Sequence, residues 1–214
     1  MSKLTTFIKT FYMQTIERSI TFDSMHRVMN EAMQCFNVHG HTYKLTLAFT
    51  YATEQEIGYA IDFKEIKRVF LQFVLDHFDH AAILNPKDII MISTCKALKS
   101  KMWIMSLRDD KYCNPTVENI AKELAIIIEL LVGILYKKEE LMLFSVKLDE
   151  TPTCSTTFYC TEGVENNELA QNVINQYGTL IGDYARRLGR KEYDDRKLMP
   201  NGDNNSQEAP DNNN

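Results

Sequence analysis

The chain has 214 residues, 44% of them apolar and 25% charged, which fits a single domain with a proper core and an appendage. Twenty-nine acidic residues against 24 Lys and Arg leave a net charge of −5, which argues against a general nucleic-acid or membrane-surface binder while permitting a local basic pocket. The opening residues MSKLTTFIKTFYMQT hold no signal-peptide core, the apolar run LAIIIELLVGILY is too short for a bilayer and contains Glu129, and five irregularly spaced cysteines point to reduced thiols in a cytoplasm.

In chain order, RSITFDSMHR predicts a strand that puts Ile20, Phe22, Ser24 and His26 on one face. HTYKLTLAFTY repeats the alternation, with Tyr43, Leu45, Leu47 and Phe49 on the same side as His41. A turn near Gly58 leads to a helix capped by Asp62, with Ile66, Val69, Phe70, Phe73 and Val74 at helical spacing. NPKD breaks the chain, residues 89–100 are ambiguous, and KMWIMSL reads as a short strand. CNPTVEN opens a second helix running to about Tyr136, with a cap and a proline at its start. LMLFSVKLDE and STTFYCT are two further strands. This order predicts an α+β fold: a four-stranded antiparallel sheet (ββααββ) with two helices on one face. An amphipathic helix follows from Glu168 to about Arg190, and the polar end of the chain is expected to be disordered. The expected division is a domain over 1–163, a helical extension over 164–199 and a tail over 200–214.

Chemistry concentrates in CFNVHGH. His39 and His41, two apart on a strand, present two nitrogens to one point, and His26 comes beside them if the two strands pair through residues 27–40. Three neutral imidazoles with one open position suit a catalytic zinc site, although an HxH pair alone is more often a surface accident of a strand end. Cys35 reads as a small buried hydrophobe, as a thiolate base or nucleophile beside the metal, or as a fourth ligand closing a structural site. Asp79 and His80 end the first helix, His77 sits one turn earlier as a packing or exposed residue, and Glu118 and Glu150 are acids at element ends.

Together, FDSMHR, CFNVHGHTYKL, YAIDFKEIK, FDHAAILN, NPTVENIA and DETPTCSTTFY resemble, in order and spacing, the 6-pyruvoyltetrahydropterin synthase family over about residues 18–161. The three residues between Cys35 and HGH resemble its bacterial 6-carboxytetrahydropterin synthase branch, which serves queuosine and other 7-deazapurine pathways. Ser24-Met25 before the first histidine, the extra His77 and the C-terminal extension depart from the family pattern.

The resemblance implies the tunnelling fold of that family, with sheets joined into a barrel in a ring-based homo-oligomer such as a hexamer. It implies zinc on His26, His39 and His41, and Cys35 as catalytic base. Asp79 and His80 become a catalytic pair contributed across a subunit boundary. Glu150 would anchor the pterin ring, with Thr116 and Glu118 lining the same pocket. The implied enzyme is a zinc-dependent lyase converting 7,8-dihydroneopterin triphosphate to 6-carboxy-5,6,7,8-tetrahydropterin, acetaldehyde and triphosphate. Arg27 is a triphosphate candidate by position only. Rival readings are the pyruvoyl enzyme, a non-catalytic pterin- or purine-binding relative, and a zinc-stabilised structural module.

Overall fold

Period-two alternation builds the longest ladder of the fold. In a computed structural model describing residues 14–52, 58–108, 113–160 and 168–188, strands β1 (Thr15–His26) and β2 (His39–Thr50) pair antiparallel, from Thr15 opposite Thr50 to His26 opposite His39. Phe22, Tyr43, Leu45, Leu47 and Phe49 lie buried along one face of this pair. Each such side chain contributes about 1.5–3 kcal/mol relative to exposure.

The first helix is interrupted rather than uniform. α1 (Phe63–Ile66) passes through a π-helical turn (Lys67–Leu71) into α2 (Gln72–His77). As expected, Asp62 caps its start, accepting from the Lys64 N–H at 2.8 Å, and the preceding turn uses Gly58 at φ +84°, a conformation that favours glycine. β3 (Ala81–Leu84), α3 (Ile89–Leu98) and β4 (Met102–Ile104) follow. Then come α4 (Val117–Leu135), β5 (Met142–Thr151), β6 (Cys154–Tyr159) and α5 (Glu168–Arg187).

The sheet corrects the four-stranded antiparallel expectation: it has six strands in the order β4-β3-β1-β2-β5-β6. β2, β5 and β6 run antiparallel to their neighbours, whereas β3 pairs parallel with both β1 and β4. The reason is local. AAIL is four residues long and buried throughout, so no alternation marks it as a strand. Ile83 points into the main core, while Ala82 and Leu84 pack with Ile92 and Cys95 of α3 in a second, small cluster. α3, capped by Asp88, was obscured in the sequence because Ile89, Ile90 and Leu98 lie exposed at its ends.

α5 lies against the β4 edge. The Tyr177 ring stacks on Trp103 at 3.9 Å, its hydroxyl donates to the Ile104 carbonyl at 2.6 Å, and it accepts from the Ile104 N–H at 3.1 Å. Tyr184 donates to the Arg68 carbonyl within the π-helical turn. An edge strand's unpaired backbone groups are thereby covered by the chain itself. The tail over 200–214, and the end of the extension beyond residue 188, lie outside the described residues. Among the described residues no helix is long and apolar enough to cross a membrane.

Candidate active site

The β1–β2 register delivers the three histidines to one place. His26 pairs with His39, and Ser24 with His41, so all three imidazoles project from the inner face at the strand end. Ring centroids are 4.4 Å apart for His26 and His39, 5.1 Å for His26 and His41, and 5.0 Å for His39 and His41. One ligand atom from each lies within 4.8 Å of the others, a grouping that could hold a metal ion. Gly40 eases the close approach of the strands between the two histidines, since a Cβ there would meet the Ser24 carbonyl oxygen at a tight 3.1 Å.

The donor set suits a cation. His26 donates from Nδ1 to the Pro115 carbonyl at 2.6 Å, and His39 from Nδ1 to the Asn37 carbonyl at 2.7 Å. Carbonyls only accept, so these contacts fix both rings as Nδ1–H tautomers and leave bare Nε2 lone pairs. Those two Nε2 atoms face each other at 3.0 Å, an arrangement that a shared cation satisfies and a neutral pair does not. Burial pushes the His26 pKa down to about 4, its bond to Pro115 opposing and His39 and His41 reinforcing the shift. It is therefore neutral, as ligation needs. Pro115 stands one place before the cap Thr116 rather than inside the helix, which leaves its carbonyl free for His26.

The other candidates divide into two groups. Glu150 lies with the histidines: its Oε1 is 3.7 Å from His26 Nε2 and 3.8 Å from His41 Nε2. It sits at the irregularity in the β5–β6 ladder between Asp149 and Thr151, where an extra residue re-aims a side chain. Cys35 is half-buried in a single 3₁₀ turn, Gln34–Phe36, on the loop joining β1 to β2. Thr116 caps α4, accepting from the Asn119 N–H at 3.4 Å, and Glu118 lies exposed in the first turn of that helix.

Asp79 and His80 form a pair of their own instead. His80 Nδ1 is 3.0 Å from Asp79 Oδ2, and Asp79 Oδ1 accepts from the Asp23 N–H at 2.9 Å. Burial works against the Asp79 charge, but the Asp23 N–H, His80 and Lys101 together hold its carboxyl below the usual range. His80 is 77% exposed at a left-handed φ of 57°, so its imidazole is presented outward by a strained backbone. Ser24, one of the unusual residues before His26, donates to the Phe78 carbonyl just ahead of this pair. His77 packs against Phe73, ring centroids 4.5 Å apart.

Tyr43 is put on the side of His41 by the strand alternation, which assigns it no role in the site. It stands two places after His41 on the same face, its ring 5.6 Å from that of His41, and it is fully buried. Among the described residues its hydroxyl has no hydrogen-bond partner. Burial raises its pKa far above normal, and the nearby charges of Glu150 and Cys35 add to this. The alternation of HTYKL carried this placement, but not the orphaned hydroxyl.

Comparison with known proteins fits this geometry. The 6-carboxy-5,6,7,8-tetrahydropterin synthase of Rickettsia felis is 34% identical over 142 residues, covering 64% of this chain and 94% of that protein. The Haemophilus influenzae protein of the same name is 29% identical over 144 residues, covering 64% and 93%. An uncharacterized Wolinella succinogenes protein superposes with a TM-score of 0.54 at 21% identity, covering 71% of this chain and all 100% of that one, which speaks to the fold alone. The family model described as 6-pyruvoyl tetrahydropterin synthase matches residues 15–160, and the chain belongs to that family.

Proposed function

We propose that this chain is a zinc-dependent 6-carboxytetrahydropterin synthase. It would convert 7,8-dihydroneopterin triphosphate to 6-carboxy-5,6,7,8-tetrahydropterin, acetaldehyde and triphosphate, for queuosine or another 7-deazapurine product. The observation that carries the reading is the convergence of bare imidazole nitrogens beside Glu150. The names of the Rickettsia felis and Haemophilus influenzae relatives support the carboxy branch.

His26, His39 and His41 would hold the metal, with His26 and His39 fixed by the Pro115 and Asn37 carbonyls. When bound, zinc supplies a Lewis acid that lowers the pKa of substrate hydroxyls. Cys35 takes the proton from a side-chain carbon as general base. The Glu150 carboxylate accepts the adjacent N–H donors of the pterin edge, and Thr116 and Glu118 line the far side of that pocket. Asp79 and His80 act on the Cys35 of a neighbouring copy, holding it in the reactive state and relaying protons. The outward aim of His80 supports this, and a ring-based homo-oligomer whose sheets close into a barrel would supply the neighbour.

Incubation with 7,8-dihydroneopterin triphosphate and mass analysis of the products tests the reading. Acetaldehyde and the 6-carboxy pterin are expected. A pyruvoyl product would move the chain to the other branch of its family, and bound but unchanged substrate would make it a binding protein.

A further inference from the structure

Arg27 follows the metal-site residue His26 directly, and its side chain is already committed. Nε donates to the Phe36 carbonyl at 3.0 Å, and the guanidinium carbon lies 4.2 Å over the Phe36 ring. A terminal nitrogen is 3.4 Å from Asp88 Oδ1. Asp88 is itself anchored: only 2% exposed, it caps α3 by accepting from the Met91 N–H at 3.2 Å. Arg27 thus braces the residue after Cys35 against the start of a helix. The neighbouring tie is complementary, because the Val28 N–H donates to the Cys35 carbonyl at 2.9 Å. Two consecutive carbonyls, of Cys35 and Phe36, are therefore held by two consecutive residues, 28 and 27.

Beyond the buried Val28, this loop has little apolar packing to fix it. Met29, Met33 and Val38 are exposed, none of the residues in the 3₁₀ turn is buried, and the turn is three residues long. A further long-range anchor is the Met29 N–H, which donates to Asn114 Oδ1 at 2.9 Å. Where apolar burial holds a segment at one residue only, a planar five-donor fork that stacks and bonds at once is an effective supplement. We infer that Arg27 is a positioning residue that sets Cys35 relative to the three histidines, and not a ligand for the substrate triphosphate.

The inference rests on the proposed reaction for its kinetic arm but not for its second arm. Arg27→Lys keeps a charge for Asp88, so no buried carboxylate is stranded, yet an ammonium cannot stack on Phe36 while bonding both partners. In the metal-loaded full chain, kcat should fall roughly 10- to 100-fold, the scale of a misplaced reacting group, with KM and metal content near wild type. Iodoacetamide labelling of Cys35, followed by peptide mass, should become several-fold faster as the turn loosens. A raised KM for the triphosphate substrate with unchanged kcat and labelling would instead make Arg27 an anion ligand. Unchanged labelling alone also overturns the inference. If the wild-type chain does not turn this substrate over, the proposed function fails while the labelling rate still decides the role of Arg27.

Discussion

Glu150 places its Oε1 atom 3.7 Å from Nε2 of His26, so a carboxylate stands at the mouth of the three-imidazole cluster. Two roles suit that position: ligand to the metal, or acceptor for substrate N–H groups. They separate on one variant. If Glu150 anchors the pterin, Glu150→Gln keeps a full complement of zinc and loses substrate recognition. Hydrogen bonds to a charged group contribute about 1.5–3 kcal/mol, so kcat/KM should drop roughly 10- to 150-fold, mostly through KM. Loss of zinc alongside activity would make the carboxylate a ligand.

Away from the site, Glu129 of α4 carries a pH dependence. Burial pushes its carboxyl up to about 7, against the pull of a hydrogen bond from the Cys160 thiol, whose own pKa is pushed up to about 12 by burial and by Glu129. The unfolded carboxyl titrates near 4.5. Between those values the folded chain keeps a proton that the unfolded chain has released, so stability falls as pH rises from 4.5 to 7 and is flat in this respect above it. Glu129→Gln removes that dependence. Its stability relative to wild type should grow by about 1–2 kcal/mol from pH 4.5 to 7.5 in urea unfolding, after allowance for partial exposure. Parallel stability curves for the two proteins would defeat this.

The legible part of the molecule was the part governed by local periodicity. Alternation in β1 and β2 fixed which side His26, His39 and His41 take, and their pairing followed from a plausible turn length. Asp62 and Thr116 announced their helices by chemistry that acts within three residues. What stayed hidden depends on partners far away in sequence. β3 carries no alternation because both faces are buried, and only pairing with β1 and β4 makes it a strand. Glu123 carries no local signal that sets it apart from the other charges of α4. It is fully buried, and takes donors from the Trp103 ring N–H and from the Ser106 N–H and hydroxyl. Burial raises its carboxyl to about 7 despite those bonds. Likewise nothing local to Arg27 revealed Asp88, 61 positions on, or the Phe36 carbonyl it holds.

The remaining prediction concerns Cys35 and the Asp79–His80 pair. On the proposed reading, Cys35→Ala should retain zinc and the fold, because three histidines would ligate without it, and should still bind substrate through Glu150. Turnover should fall by about 10²–10⁴-fold, the usual cost of removing a positioned acid or base. Zinc lost together with stability would instead make the thiol a fourth ligand. His80→Ala should be comparably slow, since His80 pairs with Asp79 at 3.0 Å and both contact β1 near Asp23, whose carbonyl accepts from the His80 N–H. The two inactive variants, co-expressed in equal amounts, then decide whether the pair serves a neighbour. If each site takes Cys35 from one copy and His80 from the next, random mixing restores about a quarter of the wild-type sites in a closed symmetric ring. If both come from one chain, no intact site can form and the mixture stays inactive. A mixed assembly confirmed by mass, yet without recovered turnover, would return Asp79 and His80 to the chain that carries them.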